Sequence, residues 1–181
     1  MPQAKVIEPE FLRPLHQKLM ATSEYLALGG VTILVILACY TSLDIILRLF
    51  GVALAGSVDI VSYGMAIAVA AAMPYGFLSD QHISISVALD KLSGGLRAIV
   101  AAITTAVSTV FLAWLAWSTL LYTADRKAVH DTMWILDIEI WPIWSVLTAL
   151  FAFTFLISVF QTTVAIRTAL KSHRQTQGAR P

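Results

Sequence analysis

Four histidines, one cysteine and eleven carboxylates are the side chains with which this 181-residue chain could ligate a metal, hold a haem or relay protons. Their positions argue against all three. His16, His82, His130 and His173 each fall at the edge of, or outside, the long apolar stretches, so histidines from within those stretches do not bracket a haem. Cys39 is a lone thiol inside an apolar run, where it packs as a small hydrophobe. No His-Glu-x-x-His, Gly-rich phosphate loop or Cys-x-x-Cys occurs, so the sequence offers no catalytic residue, no metal site and no resident cofactor. The charged groups gather where apolar stretches end. Asp44 and Arg48 stand four residues apart, Asp59 opens the second stretch, and Asp80 and His82 close it, with Arg97 at the foot of the third. A carboxylate one turn from a charge-free stretch is costly unless paired, so the spacing predicts an Asp44–Arg48 ion pair. Helix-end structural roles are the reading for Asp44, Arg48, Asp59, Asp80 and His82.

The elements that position them follow from composition. Hydrophobic residues make up 58% of the chain and charged residues 13%, about half the charged fraction of a soluble domain. Stretches free of Asp, Glu, Lys and Arg cover residues 25–43, 60–79, 98–124 and 140–166, which are 19, 20, 27 and 27 residues long. About 20 apolar residues cross a hydrocarbon core of roughly 30 Å. Lipid offers the backbone no hydrogen-bond partners, so each must be helical, including the β-prone Val31-Thr32-Ile33. The expectation is an all-α membrane protein with four transmembrane helices and interfacial amphipathic segments. The spans run at about 25–47, 59–79, 98–124 and 140–166 within a membrane domain of residues 24–166, flanked by an N-terminal segment, 1–23, and a tail, 167–181. The first span has acidic residues ahead of it and no cleavage-site pattern, and reads as retained.

Orientation comes from Lys and Arg. Nine lie in the N-terminal segment, the middle loop and the tail, against three (Arg48, Arg126, Lys127) on the opposite side. Both termini are therefore expected in the cytoplasm. Residues 11–20 place Phe11, Leu12, Leu15 and Leu19 on one helical face, and residues 83–96 carry Ile85, Ala88, Leu89, Leu92 and Leu96 at helical spacing; both suit a membrane interface. A net charge of +1 implies no pull toward nucleic acid. Membrane lipids are the implied surroundings.

Within the second span Gly64, Ala68, Ala72 and Gly76 recur every four residues, beside a row of Ser62, Ala66 and Ala70. Small residues let helix backbones approach, so this face is expected to pack on another helix of this chain or of a partner. Trp134, Trp141 and Trp144 read as an aromatic belt at the outer interface.

The order of these features resembles the small membrane subunit of tripartite ATP-independent periplasmic (TRAP) transporters. The resemblance rests on Asp44-x-x-x-Arg48-x-Phe50, Gly56-x-x-Asp59, Met73-x-Tyr75-x-x-x-x-Asp80-x-His82-Ile83-x-Ile85, and an arm through Leu92 to Arg97, and it covers about residues 24–166. Asp59 replaces the family's more usual Glu, and Pro142 follows Trp141 where many members have proline ahead of an aromatic.

The resemblance implies a partner, a large multi-span subunit carrying the substrate and sodium sites, and a periplasmic solute-binding protein that delivers an organic-acid-type solute. The chain itself would be the scaffold in a bacterial inner membrane. Its outward segment 125–139, with Asp125, Arg126, Asp131, Asp137 and Glu139, would face the binding protein. Two other classes compete. A multi-span anchor of a redox enzyme needs histidines or a quinone pocket within the spans, and a self-contained small transporter needs a membrane-embedded carboxylate.

Overall fold

The computed structural model describes residues 13–79 and 94–178. Four helices account for nearly all of them: α1 (Arg13–Leu49), α2 (Ser57–Leu78), α3 (Gly94–Val129) and α4 (Trp141–Gly178). Each contains a segment long and apolar enough to cross a membrane, so the four-helix all-α architecture expected from hydropathy is what the chain adopts. The helices outrun the charge-free stretches. At about 1.5 Å per residue, the 37 residues of α1 reach roughly 55 Å, well beyond a hydrocarbon core. Residues 13–20, read from sequence as an amphipathic lead-in, continue into α1 without a break, and α4 carries the start of the polar tail as far as Gly178. Residues 94–96 of the amphipathic middle segment form the first turn of α3, while 83–93 lie outside the described residues.

The substantial packings among the described residues are α1 on α2, α2 on α4 and α4 on α3. The helices therefore run in the order α1, α2, α4, α3, an open row of two hairpins joined through α2 and α4. Short connections force each hairpin to be antiparallel. At its N-terminal end α1 also reaches α4, where the His16 and Phe160 rings stack with centroids 6.5 Å apart.

α1 buries one narrow stripe. Ser23, Gly30, Leu37 and Asp44 are all buried and stand seven residues apart, the interval at which a helix keeps one seam against an antiparallel neighbour. Across it, Ser57, Ala68, Ala71 and Leu78 of α2 are buried, with Gly64 between them. A Cβ at Gly30 would lie 2.7 Å from the Ala68 carbonyl oxygen, and one at Gly64 would lie 2.8 Å from Leu37 Cδ1. Backbone meets backbone at Gly30, which is how two helices gain dispersion contact when lipid removes the hydrophobic drive.

The second hairpin is held differently. Thr109 Oγ1 lies 2.6 Å from Ser158 Oγ and 2.8 Å from Thr162 Oγ1, and Thr123 Oγ1 lies 3.1 Å from Thr148 Oγ1. Thr109 and Thr123 are two heptads apart on α3, as are Thr148 and Thr162 on α4, so both bonded pairs fix the same antiparallel register. Thr109 also donates to the Thr105 carbonyl at 2.8 Å. Its one proton and two lone pairs are thereby used, so this cluster is closed on itself. Between the hairpins, Ala70 and Pro74 of α2 are buried on the face shared with Phe77, whose carbonyl oxygen accepts a hydrogen bond from Gln161 Nε2 of α4.

Candidate functional site

Asp44, Arg48 and Asp59, with the residues singled out in 125–144, gather at the end of the row that carries the two short connections, 50–56 and 130–140. Asp44 is 6% exposed, and a carboxylate so covered needs partners. Arg48 supplies two, with Nε at 3.0 Å and Nη2 at 2.9 Å from Oδ2, while the Leu54 amide donates to Oδ1 at 3.1 Å. Arg48 Nη2 also reaches Ser57 Oγ at 3.2 Å. The ion pair predicted from the i, i+4 spacing thus does more than neutralise itself. It fastens the connector to the first residue of α2.

Gly56 caps α2 in the left-handed region, with φ of 73°. It is also roofed, because a Cβ there would lie 2.6 Å from Leu136 Cγ. Both facts require glycine. Leu136 comes from the α3–α4 connection, so this contact ties one hairpin to the other.

That connection is itself ordered. Thr132 and Glu139 form an antiparallel bridge, the Met133 amide donates to the Ile138 carbonyl, and the Ile140 amide to the Asp131 carbonyl. His130 and Asp137 take positive φ of 51° and 52° to close it. Arg126 Nη1 pairs with Asp131 Oδ2 at 2.5 Å, and its guanidinium carbon lies 4.5 Å from the centre of the Tyr122 ring. Tyr122 packs in turn on Trp144, with centroids 4.4 Å apart. Glu139 accepts from Trp141 Nε1 at 2.5 Å and faces His130 Nδ1 at 3.2 Å. The indole N–H first, and His130 second, hold the Glu139 carboxyl below its usual range against the opposing effect of burial.

These bonds sort the residues considered for docking. Arg126, Asp131 and Glu139 are engaged inside the connection, whereas Asp125 and Asp137 are exposed and make no salt bridge among the described residues. The tryptophans divide likewise. Trp134 is fully exposed at the tip, Trp141 lies under Lys127 Nζ at 4.9 Å, and Trp144 is packed on Tyr122. Asp59 is partly exposed beside Tyr63, which also lies within electrostatic reach of Tyr122, Asp131 and Arg126. Asp80 and His82 lie outside the described residues, and Arg97 stands in the first turn of α3.

The small-residue face of α2 also splits. Gly64 and Ala68 pack on α1, while Ala72 and Gly76 are exposed, and among the described residues nothing comes within 4 Å of a Cβ at Gly76. A spacing of four residues advances about 40° per step on a helix of 3.6 residues per turn, so the stripe winds off the α1 seam. Ser62, Met65, Ala66 and Val69 continue the exposed face.

Sequence reasoning missed the hydroxyl pairs of α3 and α4 and the Gln161 contact. The fourteen-residue spacing of Thr109 and Thr123, matched by Thr148 and Thr162, was the available signal. No group of three or more His, Cys, Asp or Glu among the described residues is arranged to hold a metal ion.

No curated protein and no solved structure gives a significant match to the chain. A family model described as the DctQ component of tripartite ATP-independent periplasmic transporters matches residues 26–168, from within α1 through the membrane-crossing part of α4. That match spans both hairpins, the Asp44–Arg48 fastening and the roofed Gly56, and by it the chain belongs to the DctQ family, the small membrane component of a tripartite transporter.

Proposed function

We propose that this chain is the scaffold subunit of a secondary-active, sodium-coupled TRAP transporter that imports an organic-acid-type solute delivered by a periplasmic binding protein. The observation that carries the reading is the open row. Along its most apolar 18 residues α1 buries only 17% of them, and the exposed face of α2 bears small residues where a helix facing lipid alone has no need of them. A large multi-span subunit packed on Ala72, Gly76 and the free flank of α1 would cover both. The middles of the spans carry no charged side chain and the Thr109 cluster is closed on itself, so the described residues offer no relay. Substrate and sodium sites therefore belong to the large subunit. Nine basic residues against three favour an inner-membrane orientation with both termini cytoplasmic. The two connections then face the periplasm, where Asp125, Asp137 and Trp134 are presented to the binding protein.

The test is purification of the tagged full-length chain from its native membrane. A large multi-span protein is expected to come with it in equal amount. Reconstituted vesicles should take up an organic acid only with both membrane subunits, the binding protein and an inward sodium gradient. Uptake by this chain alone, or by the large subunit equally well without it, would refute the scaffold role.

A further inference from the structure

On the side of the α1–α2 seam turned away from Tyr63, a groove of about 230 Å³ opens between Tyr40 and Arg48 of α1 and Ser57, Val58, Val61 and Ser62 of α2. We propose that this groove binds one membrane phospholipid by its phosphate, with Arg48 as the principal donor. This does not depend on the scaffold role.

Three features converge. The first is the division of hydrogen bonds. Asp44 turns both oxygens to partners within the chain: Oδ1 takes the Leu54 amide and Oδ2 takes Arg48. Arg48 uses Nε and Nη2 for Asp44 and Ser57, which leaves the two N–H groups of Nη1 without an acceptor among the described residues. Its side chain is 51% exposed. Asp44 also lines the groove, but its charge is taken up by Arg48 and the Leu54 amide, so the charged group left open to the groove is the Nη1 end of Arg48, which suits a phosphodiester. The second is the start of α2. Its first residue, Ser57, lines the groove and its cap, Gly56, contributes no side-chain bond to the first turn, so the partial positive charge of that helix end lies beside the groove. Asp59, the acid of that turn, lies on the Tyr63 side and does not line the groove.

The third is depth. The charge-free stretch of α1 ends at Leu43 and that of α2 begins at Ile60, about one turn from Arg48 and Ser57. Arg48 and Ser57 thus stand at the boundary of the hydrocarbon layer, where lipid phosphates lie, and Val58, Val61 and Tyr40 continue inward as an apolar crease. At ~30 Å³ per water molecule the groove has room for a phosphodiester and the first methylenes below it. The rest of each acyl chain would pass from the groove into the surrounding bilayer.

Native mass spectrometry of the full-length protein, alone and with its co-purifying partners, tests this by titration with phosphatidylglycerol in detergent. Ser62→Phe fills the groove and leaves the Asp44–Arg48 pair intact; Arg48→Gln removes the donor, and Arg48→Lys restores a charge. The wild type is expected to hold one phosphatidylglycerol. Binding should weaken at least tenfold in Ser62→Phe and Arg48→Gln, and recover in part in Arg48→Lys. Diacylglycerol, which lacks the phosphate, should not bind.

Equal binding of diacylglycerol, or unchanged phosphatidylglycerol binding in a Ser62→Phe protein of unchanged melting temperature, would overturn the assignment. Displacement by inorganic phosphate at the same concentration would make the ligand a free anion instead. Loss of a protein partner in Ser62→Phe with the lipid count unchanged would show that a helix fills the groove.

Discussion

Adjacent glycines in α1 provide a measurement of how tightly the first hairpin is closed. Gly30 faces α2, where an added Cβ would lie 2.7 Å from the Ala68 carbonyl oxygen and 3.4 Å from Ala71 Cβ; Gly29, one residue earlier, has nothing within 4 Å among the described residues. The Ala68 oxygen belongs to a helix backbone and cannot rotate aside. Restoring a 3.4 Å contact at Gly30→Ala therefore moves the helices apart by about 0.7 Å. A gap of 0.5–1 Å forfeits roughly a quarter to a half of the dispersion energy of each contact it opens, and the seam extends from Ser23 to Asp44. Overpacking of this kind costs about 1–3 kcal/mol. Alanine is the better helix former by about 1 kcal/mol at either site, so the propensity gain cancels between the two variants. Gly29→Ala should be neutral or slightly stabilising, and Gly30→Ala should be less stable than it by about 1–3 kcal/mol. Gly64→Ala should fall between them, because the Leu37 methyl it meets at 2.8 Å is a side-chain tip that can move. Reversible unfolding of the purified chain in mixed micelles, followed by circular dichroism, reads all three. Equal stability of Gly29→Ala and Gly30→Ala would refute the close backbone approach.

Three further outcomes test the rest of the molecule. Thr109→Val keeps the side-chain shape but removes the hydroxyl shared by Ser158 and Thr162, and should destabilise by about 1–2 kcal/mol; Thr123→Val, with a single 3.1 Å partner across the interface, should cost less in the same unfolding assay. Gly56→Ala combines a left-handed φ with a clash against Leu136, so protease cleavage within 50–56 should quicken, while Leu136→Ala in the same chain should relieve the clash but not the strained φ. The Glu139 carboxyl is held below its usual value of 4.5 in the folded chain, so its contribution is present above that pH and is lost as the pH falls through the lower folded value. Trp141 fluorescence should change over that acid range in the wild type and lose that step in Glu139→Gln.

Hydropathy was enough to read the fold, because a bilayer allows few answers to four long uncharged stretches. What it hides is the facing of the helices. The α1 seam, Ser23, Gly30, Leu37 and Asp44, mixes hydroxyl, glycine, leucine and acid, and so has no hydrophobic periodicity to detect. The four-residue stripe on α2 was legible as a packing face but not as two faces, since the drift that separates Gly64 and Ala68 from Ala72 and Gly76 matters only once the direction of α1 is known. The Asp44–Arg48 pair could be read because it is local to one helix. Its bonds to Leu54 and Ser57 depend on the path of the connector. Asp131 and Glu139 looked like free charges for the same reason: their partners are set by backbone reversals at His130 and Asp137, and spacing alone does not reveal those.

The placing of Leu136 over Gly56 bears on how the protein is made. Each helical pair closes with its own nearest neighbour in sequence, so the first can assemble as it leaves the translocon, before the second is synthesised. Leu136 is one of the points at which the late pair meets the early one, besides Gln161 at Phe77, and its seat borders the connector that the Asp44 carboxylate holds at Leu54. Maturation would then proceed by docking of two finished halves, with a glycine as the latch.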